Sequence, residues 1–393
     1  MASERRYYDD GYTASFTGKV AGVGEHDGRP AVELEESWFY PESGGQLGDH
    51  GSIGESRVQD VQAGADGRVW HVVDTPPAAA EVPCEVDWAR RFDHMQQHTG
   101  QHVLSAALER ARGWATLSST LGEERSVIEI SSAEVSWRDI EHLETAANRL
   151  LWEDRPIVLH WTDAAGVARF ALRKPPQVEG RIRIVEIPDW DLSACGGTHT
   201  RRTGEVGVIK VVGWEKVRGN VRLSFLCGER ALRDHAWRTE SLLESAKKRT
   251  LKDRDLIAHL ERAAEERDEL SKRLRELQAR LLADEARARV GTPPQPVAEL
   301  AETRSREEAR AFALACLSAG APWVVSGALA PEPVLVVARA KSHPADLKAL
   351  LPELLAASRG KGGGSPDQLQ IAAADAAGAS AGFERARAKL AQG

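Results

Sequence analysis

Between residues 7 and 85 short apolar runs alternate with polar turns such as Glu25, His26, Asp27, Gly28. This pattern predicts short strands joined by tight turns and closed into a small β-barrel, domain 1–85. From 86 to 235 the period changes repeatedly. Asp93, followed three residues later by Gln96, predicts a capped helix start before a histidine-rich stretch. Residues 136–154 place Ile140, Leu143, Ala147 and Leu151 on one helical face, and 125–131, 182–187 and 206–214 read as strands. Domain 86–235 is therefore expected to be α+β.

From 236 to 290 the chain turns helical and highly charged. Leu256, Leu260, Ala263, Leu270, Leu274, Leu277 and Leu281 recur at steps of three and four, the spacing of a coiled-coil seam. Arg267 interrupts it, which leaves a helical pair within the chain and a homodimer contact both open. The run Gly291, Thr292, Pro293, Pro294, Gln295, Pro296 reads as a linker. Beyond it, helices over 302–318 and 345–357 and strands over 323–329 and 334–340 predict a compact α/β module, domain 291–393. The expected class is thus α+β: a β-barrel, an α+β domain, a helical segment and an α/β module.

Composition sharpens this picture in three ways. A chain of 393 residues with 42% hydrophobic and 28% charged residues has room for two or three packed cores and does not resemble a disordered chain. A net charge of −7 argues against indiscriminate binding to a phosphate backbone. A selective nucleic-acid protein would concentrate its cations, and local groups exist: Arg90 and Arg91; Arg169, Arg173 and Lys174; Arg181 and Arg183; Arg201 and Arg202. The first residues lack the apolar core of a signal peptide, and no run of eighteen apolar residues occurs, so the expected location is cytoplasmic. The four cysteines, at 84, 195, 227 and 316, have no spacing that suggests a disulfide framework.

The candidate chemistry lies in two pairs about a hundred residues apart. His98 and His102 are spaced HxxxH and, on a helix, share a face. Cys195 and His199 are spaced CxxxH around two glycines that suit a tight turn. Three imidazoles and a thiolate favour Zn2+ over Mg2+ or Ca2+. Metalloprotease helices place a Glu directly after the first His as general base; here that position is Thr99, so the usual peptide hydrolysis lacks its base. Asp191 stands where it either orients a ligand or caps a turn.

Three motifs resemble, in order, those of the freestanding alanyl-tRNA editing proteins (AlaX), which share an editing domain with alanyl-tRNA synthetase: FYPESGGQLGD at 39–49, MQQHTGQHVLS at 95–105, and the stretch from Asp191 through CGGTH at 195–199 to Glu205. The segment GKGGGSPD at 360–367 is similar to the glycine-rich part of the DHHA1 domain that marks the long form. The resemblance implies a zinc-dependent trans-editing deacylase acting on Ser-tRNA(Ala) and also Gly-tRNA(Ala). Serine exceeds alanine by one hydroxyl, and a small pocket rejects such an isostere only about a hundredfold, so a second site is needed.

The same resemblance places the loop of Gly44, Gly45 and Gln46 over the editing cleft and suggests Thr116 as the contact for the serine hydroxyl, the alternative being an ordinary strand residue. Gln101 and Thr99, flanking the ligands, are further candidate substrate contacts. Gly362, Gly363 and Gly364 would approach the tRNA elbow, although Ser365 stands where the family segment usually carries an arginine. Because the motifs begin near residue 39, a freestanding editing protein is expected rather than a whole synthetase. Four protein ligands would close a tetrahedral site, which is normally structural. The alternatives are therefore a non-catalytic tRNA-binding protein with structural zinc, or a zinc hydrolase of another aminoacyl ester.

Overall fold

The structure, a computed structural model, covers residues 3–64, 66–176 and 180–392. It is a mixed α+β chain that divides into two compact units, Met1–Ser245 and Ala246–Gly393. The division falls inside the charged segment 236–290.

In the first unit, six antiparallel strands close a barrel in the order Ser15–His26, Arg29–Leu34, Val69–Val73, Ser56–Ala63, Gly51–Ile53, Glu81–Val86. Along Glu81–Val86 every second residue faces the core formed by Leu34, Phe39, Ile53, Val58, Val61 and Val82, and along Ser56–Ala63 a bulge between Val58 and Asp60 shifts the period so that Val58 and Val61 both reach it. His71 lies inside this barrel, fully buried. Its Nδ1 donates to the carbonyl of Val32 at 2.9 Å, and its Nε2 accepts from Ser37 Oγ at 2.7 Å.

The barrel leads directly into helix α1 (Trp88–Arg112). The helix begins earlier than the Asp93 pattern suggests: Asp87 is its N-cap and accepts from Arg90 N at 3.1 Å. Asp93 lies a full turn inside, where its carboxylate takes both Nε and Nη2 of Arg230. Sequence spacing alone made Asp93 resemble a cap; the guanidinium that claims it is 137 residues away.

Helix α2 (Trp137–Trp152) begins with a reciprocal capping box between Ser136 and Asp139. Its predicted face, Ile140, Leu143, Ala147 and Leu151, packs with Leu104, Leu108 and Phe225 into the main core of this unit. Each such fully buried large aliphatic side chain contributes about 1.5–3 kcal/mol. Two antiparallel sheets flank α1. One has the order Ile209–Val217, Asn220–Cys227, Ser126–Ile130, Thr116–Leu121; the other runs Val158–Thr162, Ile182–Ile187, Asp191–Ala194. The strand expected over 206–214 begins three residues later, because Thr203–Val206 forms a 3-10 turn. Helix α3 (Gly228–Lys247) follows the last strand.

In the second unit, helix α4 (Leu256–Val290) carries the expected heptad leucines, of which Leu270, Leu274, Leu277 and Leu281 are exposed. A five-stranded sheet follows, ordered Val297–Thr303, Trp323–Ala330, Val334–Arg339, Gln368–Ala372, Lys361–Ser365, with α5 (Arg306–Ser318), α6 (Leu347–Ser358) and α7 (Ala376–Leu390) packed on it. The helix expected from residue 302 starts at Arg306, capped by Ser305 and Glu308, because 297–303 pairs in parallel with Trp323–Ala330. Gly362, Gly363 and Gly364 lie in an edge strand. A Cβ on Gly362 or Gly364 would run into the facing carbonyls of Gln370 or Gln368, whereas Gly363 faces open space. Among the described residues no helix is long and apolar enough to cross a membrane.

Candidate metal centre

Because α1 starts at Trp88, its third and fourth turns are rigid where they present His98 and His102 on one face. The facing pair comes from the loop after Asp191–Ala194. The N–H of Cys195 still donates to Arg183 O at 3.1 Å, so the cysteine continues the sheet by one residue. The two glycines then turn the chain. At Gly197 any Cβ would fall within the His98 ring and close to Gln46 Oε1, so only glycine lets the loop come this near the helix.

The turn brings His98, His102, Cys195 and His199 together, with one donor atom from each lying within 4.8 Å of the others. Nε2 of His98 and Nε2 of His199 are each 3.3 Å from Cys195 Sγ. Four donors at ordinary zinc bond lengths on a tetrahedron stand roughly 3.3–3.6 Å apart, and these two separations fall in that range. The group could hold one metal ion.

All three imidazoles are fixed through their other nitrogen. His98 Nδ1 donates to Gln46 Oε1 at 2.7 Å, His102 Nδ1 to Asp191 Oδ2 at 2.8 Å, and His199 Nδ1 to Thr99 Oγ1 at 3.2 Å. Each partner thereby assigns a tautomer with Nε2 free to donate a lone pair inward. The partners are themselves held. Gln46 is fully buried and its amide donates to Thr198 Oγ1 at 2.8 Å; Asp191 accepts from Arg173 Nε at 2.7 Å and from Ser193 Oγ; Thr99 Oγ1 accepts from Thr200 N at 3.1 Å.

Electrostatics suits a cation here. Burial pushes the Cys195 thiol up, but the imidazoles around it, His98 foremost and His102 and His199 by hydrogen bonding, draw it well below its ordinary value. Burial, reinforced by repulsion from His98, lowers His199 to about 3 and keeps it neutral. Burial opposes a charge on His102 too, yet its bonds to Asp191 and Cys195 raise it to about 9. Cys195 and His199 are thus in the forms that bind metal, thiolate and neutral imidazole, whereas an ion bound here would displace the Nε2 proton of His102.

Other sequence-selected residues have well-defined places. Gly44 and Gly45 have left-handed φ of 58° and 85° and are exposed, and Gly45 O accepts from Leu121 N at 2.7 Å, which anchors their loop to the Thr116–Leu121 strand. Thr116 and Gln101 converge on one atom of α1: Thr116 Oγ1 and Gln101 Nε2 each lie 2.8 Å from Ser105 Oγ. Thr99 supports His199, as described above.

Several of the basic residues grouped by sequence turn out to be architectural. Arg91 is buried against Asp49 and the carbonyls of Gly11 and Trp38, which ties the 39–49 motif to α1. Arg173 holds Asp191. Arg183 is buried and donates to the carbonyls of Tyr8, Cys195 and Gly197 at 2.8–3.0 Å, clasping the ligand loop. Sequence reasoning missed Gln46 and Arg183 as supports of the centre. The only signal for Gln46 was its place in the glycine motif, and Arg183 carried none.

A cavity of about 720 Å3, whose lining includes Tyr8, Leu117, Trp161, Lys174 and Arg181, reaches the centre at Cys195; among its described lining residues are none of the three imidazoles, nor Thr99, Gln101, Thr116, Gly44 or Gly45.

Comparison with known proteins adds the following. Residues 182–223 match the model of the threonyl and alanyl tRNA synthetase second additional domain. Over 381 residues the chain is 31% identical to the alanyl-tRNA editing protein AlaX-L of Pyrococcus horikoshii, covering 92% of each. It is 36% identical over 301 residues to the alanine–tRNA ligase of Methanopyrus kandleri, which is 73% of this chain but 33% of the ligase. Over 220 residues it is also 36% identical to the alanyl-tRNA editing protein Aarsd1-B of Xenopus laevis, covering 54% of this chain and 53% of that protein.

Proposed function

This chain belongs to the family of alanyl-tRNA editing proteins, and from that premise we propose that it hydrolyses the ester of tRNA(Ala) mischarged with serine or glycine. One observation carries the reading: three imidazoles, each held by its own partner, and a thiolate converge where a cavity meets Cys195. The donor set fits Zn2+ best, and when bound such an ion polarises the ester carbonyl.

The chain's own residues do the rest. Gln46, Asp191 and Thr99 hold the imidazoles, while Arg183 holds the loop that carries Cys195. Thr99 replaces the glutamate of metalloproteases and is engaged with His199, so it is no general base. In this reading the attacking water is assisted by the substrate's ribose hydroxyl or by backbone amides. Thr116, buried with its hydroxyl 2.8 Å from Ser105 Oγ, is the residue we assign to reading the serine hydroxyl that alanine lacks. Loop Gly44–Gly45 covers the acyl group, with Gln101 behind it. The edge strand bearing Gly362, Gly363 and Gly364 contacts the tRNA elbow. The exposed leucines of α4 meet a second copy as a homodimer, and the activity belongs in the cytoplasm.

A second reading is favoured by the four protein donors themselves, which would fill a tetrahedral site: a tRNA-binding protein with structural zinc. Incubating zinc-loaded protein with Ser-, Gly- and Ala-tRNA(Ala) separates the two. The deacylase reading expects fast release of serine, release of glycine and little release of alanine, with Cys195→Ala or His102→Ala losing metal and hydrolysis together. No release from any substrate by fully loaded protein would establish the binding protein, and equal hydrolysis of unrelated aminoacyl esters would point to a broader esterase.

A further inference from the structure

We propose that the cavity beside Cys195 seats the unpaired 3'-terminal nucleotide of the tRNA, with Trp161 and Arg181 as its stacking platform. This assignment rests on the deacylase reading and names where the nucleotide lies.

Size comes first. At about 720 Å3 the cavity lies well within the range that holds drug-sized ligands and is far larger than a seryl or glycyl group needs. A site for the amino acid alone would leave most of it unused.

Register gives the direction. Across the three-stranded sheet Trp161 pairs with Arg183, and Arg183 O accepts from Cys195 N, so Trp161, Arg183 and Cys195 form one row over three strands. Two strand spacings separate the row's ends, roughly 10 Å. That is the reach of a single nucleotide whose ribose ester lies at Cys195 and whose base lies at Trp161.

The platform is prearranged. Trp161 Nε1 donates to Asp9 Oδ1 at 3.2 Å, and Tyr8 packs edge-on at 5.8 Å between ring centroids, which together fix the indole plane. Arg181 lies with its guanidinium carbon 3.8 Å from the centroid of that ring. A guanidinium stacked on an indole presents a flat, cationic outer face, a surface on which unpaired bases stack irrespective of sequence.

Charge agrees. Lys174, Arg181 and Arg183 line the cavity, and among its described lining residues there is no carboxylate, although the chain as a whole carries −7. Arg183 is spent on the carbonyls of Tyr8, Cys195 and Gly197, so Lys174 and Arg181 are the cations left to a ligand. An anionic, aromatic ligand fits this lining.

The test uses full-length, zinc-loaded protein and two probes: Ser-tRNA(Ala) for kinetics, and an uncharged RNA hairpin ending in an unpaired CCA whose last base is 2-aminopurine. In the wild type the 2-aminopurine fluorescence should be quenched on binding. Trp161→Ala and Arg181→Ala should each abolish most of the quench and raise KM on the order of tenfold with kcat changed far less, the effect of losing one stacked base. Trp161→Phe should restore both, and zinc content should equal that of the wild type in every variant, which excludes misfolding. Unchanged quench and KM in both alanine variants, with hydrolysis intact, would overturn the seat and leave the deacylase reading standing. Quenching that depends on Trp161 in a protein that hydrolyses nothing would overturn the deacylase and leave the seat.

Discussion

Gln46 Oε1 accepts a hydrogen bond from His98 Nδ1 at 2.7 Å, although 52 residues separate them and no local pattern links them. The same amide donates to Thr198 Oγ1 and its oxygen accepts from Thr198 N at 3.2 Å, so one buried side chain joins the glycine motif, the helical ligands and the CGGTH loop. The glycine motif around Gly44 and Gly45 thus serves the four-donor group through Gln46.

It follows that Gln46→Ala should weaken metal binding without touching a ligand. Partners of this type typically contribute 10–100-fold to affinity, and Gln46→Glu, which keeps the acceptor, should recover most of that loss. Competition against a chromophoric chelator measures it. An affinity for Gln46→Ala equal to that of the wild type would show that His98 is fixed by packing alone.

Gly197→Ala probes the same geometry from the loop side. The added methyl would meet the His98 ring and Gln46 Oε1, so the loop must retreat from the helix while all four donors remain in the sequence. The expected result is loss of at least ten-fold in metal affinity, in line with other disruptions of ligand support. At Gly44 a Cβ meets nothing within 4 Å, so Gly44→Ala feels only its left-handed φ of 58° and should cost about 1 kcal/mol of stability while metal binding is retained. If the two variants bound metal equally well, the close approach at Gly197 would not be what shapes the site.

Acid should destabilise the barrel through His71. Burial, opposed only in part by its bond to Val32 O, lowers its pKa to about 4, against roughly 6.5 for an exposed histidine. Protonation therefore favours the unfolded chain. The stabilisation is complete above pH 6.5, declines as pH falls from 6.5 to 4, and by linkage amounts to about 3 kcal/mol. Protonating Nε2 would also turn a donor against the Ser37 hydroxyl that now donates to it. His94, also buried and lowered to about 4, adds to the same slope. Denaturant unfolding between pH 7 and 4.5 should show the decline, and the double variant His71→Leu with Ser37→Ala, which removes both polar partners, should make it shallower. An unaltered slope would refute the assignment to His71.

How much of this could be seen beforehand follows the range of each interaction. His98 with His102 and Cys195 with His199 were legible because each pair is local, and α2 was legible because Ser136, Asp139 and the Ile140 to Leu151 face lie within one helix. What failed was what distant residues decide. Asp93 looked like a helix cap until Arg230 claimed it, and the true cap, Asp87, lacks the glutamine three residues later that makes such a signal visible. Arg91, Arg173 and Arg183 looked like nucleic-acid contacts because sequence reports charge and not burial; each is turned inward to an acid or to carbonyls. Asp191 was left between two roles, and only the folded position of His102 decides for ligand support.

The two compact units make a last prediction. Met1–Ser245 contains all four donors, their supports Gln46, Thr99 and Asp191, the cavity, and cores of its own, whereas the core residues around Val324, Val336 and Leu369 belong to Ala246–Gly393. The chemistry is therefore local to the first unit, and under the proposed function the second adds affinity by a second contact with the same tRNA. A chain ending after Ser245 should bind one metal ion and deacylate a saturating concentration of Ser-tRNA(Ala) at nearly the full rate, while KM for the tRNA rises on the order of a hundredfold, the usual scale of a lost tethered contact. A minimal RNA hairpin that has an acceptor stem but no elbow should be hydrolysed equally well by the short and the full chain. Steady-state kinetics on both substrates decides. An unchanged KM for whole tRNA would remove the elbow contact from the proposal, and loss of metal from the short chain would mean that the second unit supports the site itself.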